Sequence, residues 1–120
     1  MNDAGNLFDA AGLAAIAALQ DAVLPSYDGA EIDYENKSNE RLPLSKTPIP
    51  ITVLKIGDHF IVDALQEEMT SVDARLTVTT TADGTICSLQ KGGDVAVTTA
   101  DIGKMIDISL EQAKMLREKL

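Results

Sequence analysis

Four carboxylates crowd into eleven residues: Asp63, Glu67, Glu68 and Asp73. Acidic oxygens gathered this densely are how proteins hold hard cations such as Mg2+ or Ca2+, and a held divalent ion can drive phosphoryl transfer. Their spacing is not that of an EF-hand loop, so they are weak metal candidates, singled out by density alone. The single histidine, His59, falls in the turn Gly57-Asp58-His59 with no second His or Cys nearby, which reads as a surface imidazole rather than a metal ligand. The single cysteine, Cys87, excludes an internal disulfide and fits a reducing cytosol. It reads as a small core residue. Gly92-Gly93 could let backbone approach a phosphate, but a break after a strand is the commoner use. There is no GxGxxG, P-loop, HExxH, CxxC or GxSxG. By its motifs the chain is a non-enzyme, or part of an enzyme.

These residues need elements to position them. The clearest is the run Ala74 to Gly93, where Leu76, Val78 and Thr80 alternate with Thr77, Thr79 and Thr81 at the period of a strand. Asp83-Gly84 supplies a hairpin turn. Thr85 to Gln90 returns, with Cys87 and Leu89 on one side and Ile86 and Ser88 on the other. Ile51 to Ile56 and Phe60 to Asp63 make two more strands, followed by an acidic, irregular stretch to Asp73. Ahead of them, Asn6 caps an alanine-rich helix over Leu7 to Val23, with Leu13, Ile16, Leu19 and Val23 at helical steps. Its small residues on several faces fit a helix with neighbours on more than one side. Pro25 ends it. Residues 25–48, rich in turn formers and charge, read as a surface loop anchored by Ile32, Leu42 and Leu44. Thr98 or Thr99 caps a last helix, with Ile102, Ile106, Ser109, Ala113, Leu116 and Leu120 on one face. The order is helix, hairpin, hairpin, helix: an α+β layer of antiparallel or mixed sheet covered by helices.

The chain of 120 residues is 45% hydrophobic and 24% charged, the composition of a soluble domain. A net charge of −9 with no basic patch argues against direct binding of RNA or DNA. Asp3 and Asp9, with no basic residue before the apolar run, are not the start of a signal peptide. The run Leu13 to Leu19 is too short to span a bilayer. A cytoplasmic protein is expected.

Four segments carry a resemblance. Asn6-Leu-Phe-Asp-Ala-Ala, Lys55-Ile-Gly-Asp-His-Phe-Ile-Val-Asp63, Asp73-Ala-Arg-Leu-Thr-Val78 and Ser88-Leu-Gln-Lys-Gly-Gly93 follow one another as in the RNase PH superfamily. Within it, the chain is similar to the non-catalytic RNase PH-like subunit of the archaeal exosome ring. Family members are longer, so the resemblance makes residues 1–120 a single partial domain, the C-terminal half of an RNase PH domain with the ribosomal protein S5 domain 2-like fold. It leaves open whether Met1 is a native start.

The resemblance implies a ring in which three such subunits alternate with three catalytic ones under RNA-binding caps. That ring degrades RNA from the 3′ end by phosphorolysis, using Mg2+ and inorganic phosphate at the level of the complex and no cofactor of this subunit's own. The catalytic relatives carry a Gly-Glu-Ala-Asp-like segment, and Asp73 falls on its final Asp. Thr70-Ser71-Val72 precede it instead, so Asp73 is expected to be structural. Ala64-Leu65 departs as well, from the Pro-Thr of relatives. Two other readings stand beside this scaffold: a metal-dependent phosphorolytic exoribonuclease using Asp63, Glu67, Glu68 and Asp73, and a stand-alone α+β binding module. An open sheet edge predicts that the isolated 120 residues self-associate.

Overall fold

The computed structural model describes residues 4–120. Met1 and Asp3, invoked above, lie outside the described residues. At the centre is a four-stranded antiparallel sheet built from β3 (Ile49–Ile56), β4 (His59–Val62), β5 (Ala74–Thr80) and β6 (Ile86–Gly92). Its order is β4-β3-β5-β6. Strand β3 pairs with β4 from Val53↔Val62 to Ile56↔His59 and with β5 from Ile49↔Thr80 to Lys55↔Ala74. The β5–β6 hairpin predicted from alternation is present, with a bulge between Thr79 and Thr80. Gly84 turns it at φ 80°, and Asp83 fixes the turn by accepting from Thr81 Oγ1 (2.5 Å) and Thr85 N (3.0 Å).

Helix α3 (Thr99–Arg117) covers one sheet face. Thr98 and Asp101 form a reciprocal capping box at its start. Ile49, Ile51 and Val53 of β3 share this face with Leu76 and Val78 of β5, and together they bury Met105 and Ala113. The predicted apolar face is present, with two changes. Met105 is fully buried, and Leu120 lies beyond the helix and is exposed. Ser109, buried at the same interface, donates to Met105 O (2.8 Å).

Helix α1 (Leu7–Asp21) is capped by Asn6, whose Oδ1 accepts from Asp9 N, as expected. It ends two residues early. Ala22 is already extended, and Pro25 disfavours helix in the residue before it. Only Ile16 is buried, so this helix shows solvent on most of its surface.

Three further expectations are corrected. Residues 25–48 are not an irregular loop: β1 (Val23–Tyr27) and β2 (Ile32–Arg41) pair as a two-stranded antiparallel arm. Asp28 and Gly29 turn it, and its ribbon bulges on both sides of Pro25. Ile32 is exposed rather than an anchor, while Leu42 and Leu44 are half-buried. Second, the acidic stretch holds a single turn of helix, α2 (Gln66–Met69). Third, Cys87 is exposed. It sits on β6, a strand at the sheet edge where no residue is fully buried. The molecule spans 59 × 31 × 25 Å, and among the described residues no helix is long and apolar enough to cross a membrane.

Candidate functional site

Each candidate carboxylate has a local task. Asp73 Oδ2 accepts from Gly57 N (2.7 Å), pinning the β3–β4 turn to the start of β5. Its backbone is held as well, with its N–H on Lys55 O and its carbonyl receiving Val95 N. Gly93, at φ 86°, lies so close that a Cβ there would come 2.8 Å from Asp73 O. Glu68 Oε2 accepts from Leu65 N (2.8 Å) at the start of α2. Glu67 is exposed and contributes its carbonyl, which receives Thr70 N and Oγ1. Asp63 ends β4 at φ 54°, the one positive φ outside glycine among the described residues. The four do not converge: among the described residues no group of three or more His, Cys, Asp or Glu is placed to hold a metal. His59 is exposed at the first position of β4.

The carboxylate that does reach into the fold is Asp9. Pairing of β3 with β4 stops at Val53, so the next N–H along that edge, Thr52, needs another acceptor. Asp9 Oδ2 takes it at 2.5 Å while Oδ1 accepts from Thr52 Oγ1 at 2.8 Å. Thr52 Oγ1 in turn bonds Thr77 Oγ1 (2.8 Å), so one chain of polar contacts joins α1, β3 and β5. Burial raises the Asp9 pKa above the usual carboxylate range; the Thr52 bonds oppose that shift, and nearby Asp63 adds to it. Gly12 lets α1 approach closely, since a Cβ there would fall 2.4 Å from Pro50 Cγ. In the sequence Asp9 counts only as an acidic residue ahead of the apolar run. The partner lies 43 residues away, and nothing local announces it.

On the sheet face opposite α3, a cavity of about 250 Å³ opens between the start of α1 and β5–β6. Thr52, Leu54 and Thr77 form its floor, with Phe8, Met69 and Arg75 around it. Arg75 pairs across the sheet with Gly92, where a Cβ would collide with its Nε at 2.3 Å. The missing side chain is what lets the guanidinium lie there. Arg75 has no ion-pair partner among the described residues; the two pairs present are Lys55–Asp101 (2.7 Å) and the exposed Arg41–Asp21 (3.8 Å). A cation, hydroxyls and apolar side chains make this a surface for contact, without a paired nucleophile and base.

Comparison with known proteins agrees with the architecture. The chain is 47% identical over 116 residues to the exosome complex component Rrp42 of Thermoplasma acidophilum, covering 96% of this chain and 42% of that relative. It is 36% identical over 118 residues to the Rrp42 component of Methanothermobacter thermautotrophicus, covering 97% and 44%. Among solved structures it resembles the archaeal exosome core with TM-score 0.84 and 36% identity, over 99% of this chain and 46% of that one. The Archaeoglobus fulgidus exosome with RNA bound to the active site matches with TM-score 0.82 and 36% identity, over 98% and 44%. The chain thus spans less than half the length of these relatives. Residues 46–112, from the approach to β3 to the middle of α3 and more than half of the chain, match the 3′ exoribonuclease family, domain 2. The chain belongs to that family.

Proposed function

We propose that the chain is part of a non-catalytic, structural subunit of an archaeal exosome ring. In this reading it shapes phosphate-dependent 3′-to-5′ RNA degradation and processing by a catalytic RNase PH-like partner, under RNA-binding cap subunits and in the cytoplasm. The similarity to Rrp42 components along nearly the whole chain supports the assembly. The observation that carries the non-catalytic role is Asp73. At the position of the catalytic Asp of active relatives, its carboxylate binds the Gly57 N–H and holds a turn. RNA reaches the subunit through the assembled complex, because a chain of net charge −9 repels a phosphate backbone by itself.

The test combines the protein with a catalytic RNase PH-like exosome subunit of an archaeon and follows shortening of a labelled RNA in inorganic phosphate. Shortening should need the catalytic subunit and rise when this protein is added. Asp73→Asn should leave the rate of the assembled complex within about twofold once assembly is matched. Phosphate-dependent shortening by this protein alone, abolished by Asp73→Asn, would establish the enzyme reading instead. A stable monomer indifferent to the catalytic subunit would point to a stand-alone module.

A further inference from the structure

The sheet, its helices and the carboxylate turns leave one large feature without a task, the β1–β2 arm. Its strands contact mainly each other. At the base, Leu42 N donates to Ala22 O (3.0 Å) and Arg41 Nη1 to Gln20 O (3.0 Å). Every residue of β2 except Ser38 is exposed. A lone two-stranded ribbon is marginal in water, yet the tip is shaped by its own side chains. Asp28 Oδ1 accepts from Ala30 N and Glu31 N (both 2.9 Å), and Tyr27 OH donates to Gly29 O (2.7 Å). Asp33 accepts from Glu35 N (2.9 Å), Asn36 N (3.1 Å) and Asn36 Nδ2 (2.7 Å). These bonds hold both carboxyls below the usual range, Asp28 chiefly through Glu31 N and Asp33 chiefly through the Asn36 amide, so the tip keeps its charge. Such preorganisation lowers the ordering cost of binding.

The tip also has two unlike faces. Tyr27 pairs with Ile32, so these two share one face, and Tyr34 follows where β2 bulges opposite Pro25 and Ser26; all three line one depression at the tip. They are 65%, 49% and 80% exposed, and both tyrosines of the chain are among them. Ser26 pairs with Asp33 on the other face. From 27 to 35 the charges are Asp28, Glu31, Asp33 and Glu35, with no Lys or Arg. Exposed tyrosines on a rigid element are the usual anchors of protein interfaces. The surrounding charge repels nucleic acid and equally another copy of a chain of net charge −9. What fits is a protein surface with an apolar slot ringed by lysines and arginines.

We propose that the tip of the β1–β2 arm is a docking finger that seats Tyr34, Ile32 and Tyr27 on a basic, apolar-floored surface of a neighbouring exosome protein. This rests on the ring-subunit reading above. The test assembles the protein with an archaeal catalytic RNase PH-like subunit and then with RNA-binding cap subunits, reading complex mass by light scattering. Amide exchange of residues 23–41 is followed at each step. Tyr34→Ser and the pair Glu31→Lys, Glu35→Lys are compared with the unaltered protein. One assembly step should slow exchange across the tip. Tyr34→Ser should weaken that step about tenfold or more, and the charge-reversed pair should weaken it and remove most of its salt dependence. Assembly that leaves the tip exchanging freely, or variants that bind as tightly as the original, would overturn the finger while leaving the ring reading intact. Protection by RNA alone would overturn it in favour of a nucleic-acid contact. If no complex forms at any step, the ring reading fails, and the choice of partner falls with it.

Discussion

The β5–β6 hairpin and the β1–β2 arm are built from the same local parts and end in opposite situations. Each turns at an Asp-Gly pair, Asp83-Gly84 and Asp28-Gly29, with the Asp carboxylate accepting backbone N–H groups of the turn. β5 then lies against β3 and α3 and buries Ala74, Leu76, Val78 and Thr80. The arm buries nothing completely. Local chemistry is therefore enough to draw a hairpin, while the strength with which it is held comes from what covers it. Two regions of one chain should then answer mutation on very different scales.

The largest effect belongs under α3. Met105 is fully buried against Ile49, Val53 and Val78, so Met105→Ala removes packing and leaves a void. We expect a loss of about 2–5 kcal/mol in urea unfolding. Tyr34→Ser on the arm should stay within about 0.5 kcal/mol in the same experiment. Equal losses at the two sites would break the comparison.

Next comes the join between α1 and the sheet. Asp9→Ala leaves the Thr52 N–H without its acceptor, which costs about 1–3 kcal/mol for a buried donor. The pH dependence has a definite sign. Burial holds the folded pKa of Asp9 above its ordinary 3.8, so the folded state binds this proton more readily than the unfolded chain. Stability from this group is complete below the ordinary value and is lost as pH rises through the folded one. Relative to Asp9→Asn, which keeps an acceptor oxygen and cannot ionise, the unaltered protein should be more stable at pH 3 than at pH 7. A pH-independent difference in melting temperature would refute this.

The opposite sign is expected at the other end of β3. Lys55 Nζ lies 2.7 Å from Asp101 Oδ2 in a pair whose side chains are only 17% and 15% exposed. Chiefly through Lys55, and then through Thr98 N, the Asp101 pKa is held at about 2. Its contribution is present above the ordinary 3.8 and lost as pH falls towards 2. Asp101→Asn should therefore lower the melting temperature at pH 7, and the difference should shrink to a small remainder at pH 2, where the folded-state carboxylate is about half protonated.

How much of this could be read in advance follows the same division. The β5–β6 hairpin was legible because a strand with one buried face alternates, and Leu76, Val78 and Thr80 do. The arm was not, because exposure on both faces removes the alternation, and Pro25 with its many charges imitates a loop. Cys87 was misplaced because it is the extra residue of the bulge between the Thr79↔Ser88 and Thr80↔Ile86 pairs, where alternation breaks, and because β6 is an edge strand with no residue fully buried. Asp73 could be located by its motif, while its bond to Gly57 N spans 16 residues and the Asp9–Thr52 contact spans 43. Such long-range partners leave no local trace. Met105, three residues after Ile102, was available from helical spacing and was passed over for Ile106, which is only half-buried.

The smallest effect is the one that isolates the arm. Asp28→Ala removes the acceptor for Ala30 N and Glu31 N at the tip and touches no residue of the sheet. Because β1 and β2 contact mainly each other, loosening them should not propagate. Amide exchange across residues 23–41 should quicken while the melting temperature and the exchange of β3 and β5 stay as they were. The corresponding change in the other hairpin, Asp83→Ala, removes the bonds to Thr81 Oγ1 and Thr85 N. There α3 and β3 still hold β5, so exchange should rise at the turn and stop short of Val78. If Asp28→Ala also lowered the melting temperature, the arm would have to be coupled to the sheet, and a freely presented finger would be the wrong description of it.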